Sequence, residues 1–225
     1  MNKSNAMDDL RLRFSKTGRA VYISHLDLMR TMQRSFLRAG FRLKYSEGFN
    51  PHPQLVFALP LSVGMASECE LLDFKLGEIA CVPDIPRLLN RALPEGIRAV
   101  EVYHKQRKFK EIRWLDVDGV FTYDGQNAAE KLAPLMDFFA QDHLIIQKKS
   151  KSGLSDFDIS PAIRSIAFDS EGEKVFLKAV VSAQEPTMNP ELLPAALIQL
   201  APELAPDFAS FTRRQLYDAE MQVFR

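Results

Sequence analysis

His25 and His52 are the side chains here best suited to acid–base work, since an ordinary imidazole titrates near neutral pH. His25 is expected in the first turn of a helix. There, unbonded backbone N–H groups and the helix dipole favour an anion and a neutral ring. That placement suits a phosphate contact or a base for a ribose hydroxyl. It equally suits a half-buried histidine bonded to a nearby carbonyl. His52 lies in Tyr45-Ser46-Glu47-Gly48-Phe49-Asn50-Pro51-His52-Pro53, where two prolines hold the chain extended and Gly48 permits a turn. Tyr45 and Phe49 offer faces on which an unpaired base can stack. The plainer alternative is a rigid turn packed on a sheet. His25 and His52 are the candidate catalytic residues, and whether they meet in space is left open by the sequence.

A metal held by both histidines and Asp27 lacks any HxH or HxxxH spacing, so no metal is expected. Cys69 and Cys81 are the only cysteines, too few for an internal cluster, and they suit a reduced cytoplasmic protein. Glu68, Glu70 and Asp73 are either paired carboxylates or, more simply, ion-pair partners for Arg30, Arg34 and Arg38. No nucleophile elbow or phosphate-cradling glycine loop is present. No cofactor is expected.

Charge is distributed unevenly. Between Leu10 and Phe57 nine lysines and arginines face only Asp27 and Glu47, about +7 in a chain of formal net charge zero. Such a block points to an anionic partner, nucleic acid first. Arg30, Arg34 and Arg38 recur every four residues and form one stripe along a helix. Arg42, Lys44 and Asn50 extend the candidate RNA-binding set. A solvated helix face is the bland reading of the stripe.

These residues need elements to position them. Leu10–Phe14 alternates apolar and basic residues, as in a strand with one buried face. Ser24 and Asp27 form a capping pair for a helix His25–Arg38, which Gly40 stops. Gln54–Leu59 and Glu70–Leu76 read as strands, Pro83–Leu93 as a helix and Ile97–Tyr103 as a strand. The order is βαββαβ. Beyond Lys105–Arg113 the pattern restarts: strand Trp114–Tyr123, helix Asn127–Ala140, strand Leu144–Lys149, a basic turn through Gly153, and strand Lys174–Ala183. A helix capped by Asn189 and a last strand Ser210–Tyr217 close the chain. The expected fold class is α+β, two tandem ferredoxin-like units with antiparallel sheets. Its parts are a disordered leader at 1–9, a first unit at 10–104, a basic linker at 105–113 and a degenerate second unit at 114–225. The chain has 225 residues, 46% hydrophobic and 26% charged, with no apolar run long enough to span a membrane.

SHLDLMR, followed by YSEGFNPHPQLVFALPLSVGMASECELLDF, resembles the radical-SAM-linked family, a domain of unknown function (DUF2344-like) found alone or C-terminal to radical SAM proteins. The motif positions are Tyr22, Ser24, His25, Asp27, Arg30, Tyr45, Ser46, Gly48, Phe49, Asn50, Pro51, His52, Pro53, Gly64, Ser67 and Asp73. The resemblance implies partnership with a radical SAM enzyme and assigns no reaction. This chain has no CxxxCxxC and cannot hold that enzyme's cluster. The layout also looks like Cas6-like CRISPR RNA endonucleases, a fold-level analogy.

The leading expectation is therefore a non-catalytic, cytoplasmic RNA-binding module. It would present tRNA or rRNA to a separate radical SAM enzyme, with no membrane partner. Arg30, Arg34 and Arg38 would meet phosphates, and Tyr45 and Phe49 would stack bases. The first alternative is a metal-independent endoribonuclease using His25. The second is a protein-interaction adaptor without RNA affinity.

Overall fold

The computed structural model describes residues 9–77, 80–150 and 153–225. Most of the expected leader, residues 1–8, and Lys151 and Ser152 of the expected basic turn lie outside the described residues. The chain is α+β with antiparallel sheets and divides into two compact units, one ending at Phe109 and one running Lys110–Phe224.

The first unit runs β1 (Leu10–Lys16), α1 (His25–Arg38), β2 (Leu55–Phe57), β3 (Ala66–Phe74), α2 (Ile85–Leu89) and β4 (Ile97–His104). Its sheet order is β4-β1-β3-β2, every neighbour antiparallel. Alternation in β1 turns Leu10, Leu12 and Phe14 into a core shared with Leu28, Met32 and Phe36 of α1 and Leu72 and Phe74 of β3. Helix α1 starts where its sequence says it should: Asp27 N donates to Ser24 Oγ (3.1 Å), and Ser24 Oγ donates to Asp27 Oδ2 (2.8 Å). Gly40, at φ +88°, ends it with a backbone bond to Leu37 O. The expected helix Pro83–Leu93 is shorter, a 3-10 turn Val82–Asp84 leading into α2, because Pro86 follows Pro83 within one turn. Gln54–Leu59 contracts to the three residues of β2.

The second unit runs β5 (Trp114–Thr122), α3 (Leu132–Phe139), β6 (Ile145–Ser150), β7 (Gly153–Asp158), β8 (Ile163–Glu171), β9 (Lys174–Ser182), α4 (Leu192–Leu200) and β10 (Phe208–Tyr217). Strands β10-β5-β9-β8 form an antiparallel sheet. Strands β6 and β7 form a separate hairpin. The sequence reading missed β7, whose GLSDFD carries no clean alternation. On β6, Gln147 N donates to Gln199 Oε1 (2.8 Å), and Gln199 Nε2 donates to Gln147 O (3.2 Å). One amide side chain of α4 thus meets both backbone groups of a strand residue. The core joins Val117, Phe121, Val175, Leu177, Leu193 and Leu197. There Tyr123 donates its hydroxyl to Leu204 O (2.9 Å), and burial pushes its phenol up to about 12.

Candidate nucleic-acid interface

Between α1 and β2 the chain makes a pinned loop on the first unit. Its stem is zipped by backbone bonds from Gly77 N to Arg42 O and Lys44 N to Lys75 O (2.8 Å each), and from Gln54 N to Lys44 O (2.9 Å). Nearer the tip, Ser46 N donates to His52 O (2.8 Å), His52 N donates to Ser46 Oγ (3.1 Å), and that hydroxyl lies 3.0 Å from His52 Nδ1. Gln54 Nε2 also donates to Tyr45 O (3.2 Å). These bonds leave Glu47–Pro51 as a short tip, turned by Gly48 at φ +116°. At that tip the Phe49 ring is wholly in solvent (111% relative exposure), and Tyr45 is 54% exposed on the stem. An aromatic ring held out on a hydrogen-bonded loop is a stacking surface whose ordering cost is already met. The rigid-turn reading is right about the stem, but the ring does not pack on the sheet.

Below the loop lies a cleft of about 340 Å³, where the apolar Pro53, Leu55, Val56 and Phe74 sit beside the charged Asp9, Asp73, Lys75 and Lys105. Its charged groups are paired with one another and with buried Arg11. Arg11, fully buried, pairs bidentately with Asp73 (Nε to Oδ1 2.7 Å, Nη2 to Oδ2 3.1 Å), donates to Arg107 O (2.9 Å) and lies under the Phe109 ring, 4.2 Å away. Lys75 Nζ lies 2.8 Å from Asp9 Oδ1. Lys105 Nζ lies 3.3 Å from Asp9 Oδ2 and 3.6 Å from Asp73 Oδ2. Burial raises the Asp9 carboxyl, but hydrogen bonds from Lys75 and Lys105 outweigh it and hold the group below its ordinary value.

Five of the nine cations in the block are bonded to other groups of the first unit. Arg11 is paired with Asp73, and Arg13 lies 3.7 Å from Glu101 of β4. Lys16, only 1% exposed, donates to Val21 O (3.1 Å) and Ile23 O (3.2 Å). Desolvation lowers its ammonium, opposed by the charge of buried Glu70. Asp73 therefore serves β1 rather than the α1 stripe. Within the stripe Arg30 pairs with Asp27 (3.2 Å), and Arg38 Nη2 donates to Ala92 O (2.5 Å) and Ser35 Oγ (3.2 Å). Arg34, Arg42 and Lys44 are exposed without an ion pair among the described residues, as is Asn50 at the loop tip.

The two histidines do not converge. The His25 ring meets Phe57 edge-on (centroids 5.1 Å), at the far end of β2, whereas His52 precedes that strand's start and bonds Ser46. Five residues of mostly extended chain separate His52 from Phe57, roughly 16 Å at full stretch. Of the remaining motif residues, Tyr22 is exposed, Gly64 N donates to Val21 O (2.9 Å), and buried Ser67 Oγ accepts from Cys69 N (3.3 Å). Both cysteines are free thiols. Pro51 is exposed and Pro53 bridges Tyr45. Sequence reasoning missed Asp9, Arg11, Lys75 and Lys105 as a group. The available signal was Arg11 between Leu10 and Leu12 in a strand, a charge that needs a partner from another strand.

The family model described as "Uncharacterized protein conserved in bacteria (DUF2344)" matches residues 9–190. The chain belongs to this family. No curated protein matches it. Among solved structures the DUF2344 chain is similar to a Cbf5-Nop10-Gar1 complex, at 12% identity and TM-score 0.53 over 94% of this chain and 50% of that one. It also matches an archaeal box H/ACA sRNP Nop10-Cbf5 complex, at 10% identity and TM-score 0.48 over 95% and 49%. A third match is an H/ACA RNP bound to a substrate RNA containing 2'-deoxyuridine, at 11% and 0.48 over 92% and 47%. The chain spans about half the length of each of these three structures. At such identities the likeness concerns fold alone. Among the described residues no helix is long and apolar enough to cross a membrane.

Proposed function

We propose that this protein is an RNA-binding module that holds an unpaired stretch of RNA and presents it to a separate radical SAM enzyme in the cytoplasm. The observation that carries the RNA half is Phe49, fully exposed on a loop pinned by Ser46 and His52, with Tyr45, Lys44 and Arg42 on the same segment. Aromatic faces beside backbone-seeking cations are what sequence-tolerant single-strand binding requires. The radical SAM half rests on the family resemblance, and the free thiols suit a reducing compartment. Each unit is read as ferredoxin-like: the first has βαββαβ order with sheet order 4-1-3-2. The second has the same order once the β6–β7 hairpin is taken as an insertion.

The test is binding of a labelled tRNA pool across a salt series. Phe49→Ala is expected to weaken binding by about 1–3 kcal/mol, roughly 5- to 150-fold. Arg34→Ala with Arg42→Ala and Lys44→Ala should flatten the salt dependence by about two units of slope, at roughly 0.7 per single-strand phosphate. Binding indifferent to all four changes would reject the proposal. The nuclease alternative gains nothing from the geometry, because His25 packs on Phe57 and His52 lies at the other end of β2.

A further inference from the structure

We propose that the groove between α3 and α4 of the second unit docks an extended segment of another protein, one alternating apolar and basic residues. This surface is separate from the RNA surface of the first unit and stands on other residues. The groove holds about 680 Å³. Its floor is apolar: Phe138 of α3, Leu144 just before β6 and Leu204 beyond α4 are buried there. Its walls stay apolar out into solvent, with Ile145 52% and Leu200 46% exposed. Such side chains gain when a partner covers them.

Charge narrows what can cover them. The charged groups that line the groove are Asp137, Glu203 and His143. His143 Nδ1 lies 2.7 Å from Asp158 Oδ2, so any charge on the ring is matched by that carboxylate. Asp137 and Glu203 are exposed and make no ion pair among the described residues. Lys131 donates to the backbone oxygen of Glu203 (3.0 Å), not to its carboxylate. Two unmatched carboxylates beside apolar walls favour lysine or arginine and repel a phosphate chain. Among the described residues no group of three or more acids, histidines or cysteines could hold a metal ion.

The backbone of β6 gives the segment its direction. Gln147 turns its N–H and C=O away from β7, to Gln199 of α4. Ile145 lies two residues earlier on the same margin, and bonding direction repeats every second residue along an antiparallel strand. The hairpin register agrees: Leu144, in the other phase, accepts from Ile159 N (3.0 Å). Ile145 therefore turns an N–H and a C=O outward, and neither is bonded among the described residues. Ile145 and Leu200 both line the groove, so this open rung lies at its wall. A segment laid alongside would exchange both bonds with Ile145, as the Gln199 amide does with Gln147. Gln199 occupies the next rung, which holds the segment to the groove. A free polyamine would meet the carboxylates but leave the rung open.

The experiment is fluorescence anisotropy of labelled, amidated pentapeptides titrated with the full chain. The probe is Lys-Leu-Lys-Leu-Lys, with Glu-Leu-Glu-Leu-Glu and Gln-Leu-Gln-Leu-Gln as controls. The basic peptide is expected to bind about tenfold tighter, or more, than either control. Asp137→Asn together with Glu203→Gln should cut that preference to about twofold or less. Ile145→Pro deletes the open N–H, at an edge position where proline is tolerated. It should weaken the basic peptide at least about fivefold more than Ile145→Ala, which keeps the N–H. If the proline variant does not fold, the basic peptide N-methylated at every residue takes its place and must lose the same factor. Equal binding of the three peptides, or a preference that survives loss of both carboxylates, would overturn the proposal. So would a folded Ile145→Pro no weaker than Ile145→Ala, an N-methylated peptide as tight as its parent, or spermidine displacing the probe as well as unlabelled peptide does.

Discussion

Replacing Asp73 by alanine removes both hydrogen bonds from the guanidinium of fully buried Arg11 and leaves that charge without its carboxylate. Breaking a buried ion pair from one side costs about 3–5 kcal/mol, since the surviving ion stays desolvated. Here Arg11 keeps the Arg107 carbonyl and the face of Phe109, and Asp73 is itself 12% exposed, so the lower end applies, about 3 kcal/mol. Urea unfolding, followed by a probe in the first unit, should show the midpoint falling with the slope unchanged. The double variant Arg11→Met, Asp73→Ala removes the stranded charge and should recover most of the loss, because an apolar pair of similar volume replaces a buried salt bridge at little cost. A single variant within about 0.5 kcal/mol of wild type, the scatter of ordinary surface changes, would refute this account. So would a double variant as unstable as the single one.

Arg38→Ala should cost about 1 kcal/mol of stability by leaving the Ala92 carbonyl only the longer bond from Ser35 Oγ (3.3 Å), while Arg34→Ala, exposed and without an ion pair, leaves the unfolding midpoint unmoved. Gly96→Ala should cost more than about 2 kcal/mol by thermal unfolding, because φ is +85° and the new Cβ would sit 2.5 Å from Thr17 O. The His143–Asp158 pair (2.7 Å) predicts a pH signature. Asp158 is lowered first by its hydrogen bond to His143, so its contribution is present above 3.8 and fades as pH falls through the folded value. His143 is raised by the same bond, so its contribution is full below 6.5 and fades as pH rises through its folded value. Stability from the pair is greatest between those limits. A His143→Gln variant should flatten that part of the pH profile, and an unchanged profile would count against the pair.

Helix α1 was legible because its signals are local: a serine cap, an aspartate three residues on, an apolar stripe and a terminal glycine. Strand order was legible only as far as the alternation of helices and strands implies it. The basic block misled because a linear count ignores what lies beside a strand. Arg11 and Arg13 face acids that arrive 62 and 88 positions later, on β3 and β4. Lys16 is invisible as a buried residue until the 3-10 turn Gly18–Tyr22 folds its carbonyls over it. Asp73 was singled out from its motif, yet its partner could not be read, because pairing is set by register rather than by composition. Phe49 was legible as a stacking candidate from its neighbours, but its full exposure follows from the Ser46–His52 clasp, a contact between side chain and backbone across six residues.

The reciprocal amide bonds between Gln199 and Gln147 bear on the protein's behaviour in a crowded solution. The outer margin of β6 would otherwise offer an open N–H and C=O to any passing strand, which is how chains recruit one another into ordered aggregates. By imitating one rung of a neighbouring strand, a single glutamine of α4 shields the middle of that margin. Of the β6–β7 ribbon's two margins, the one on β6 is thereby closed at its middle to a copy of the chain.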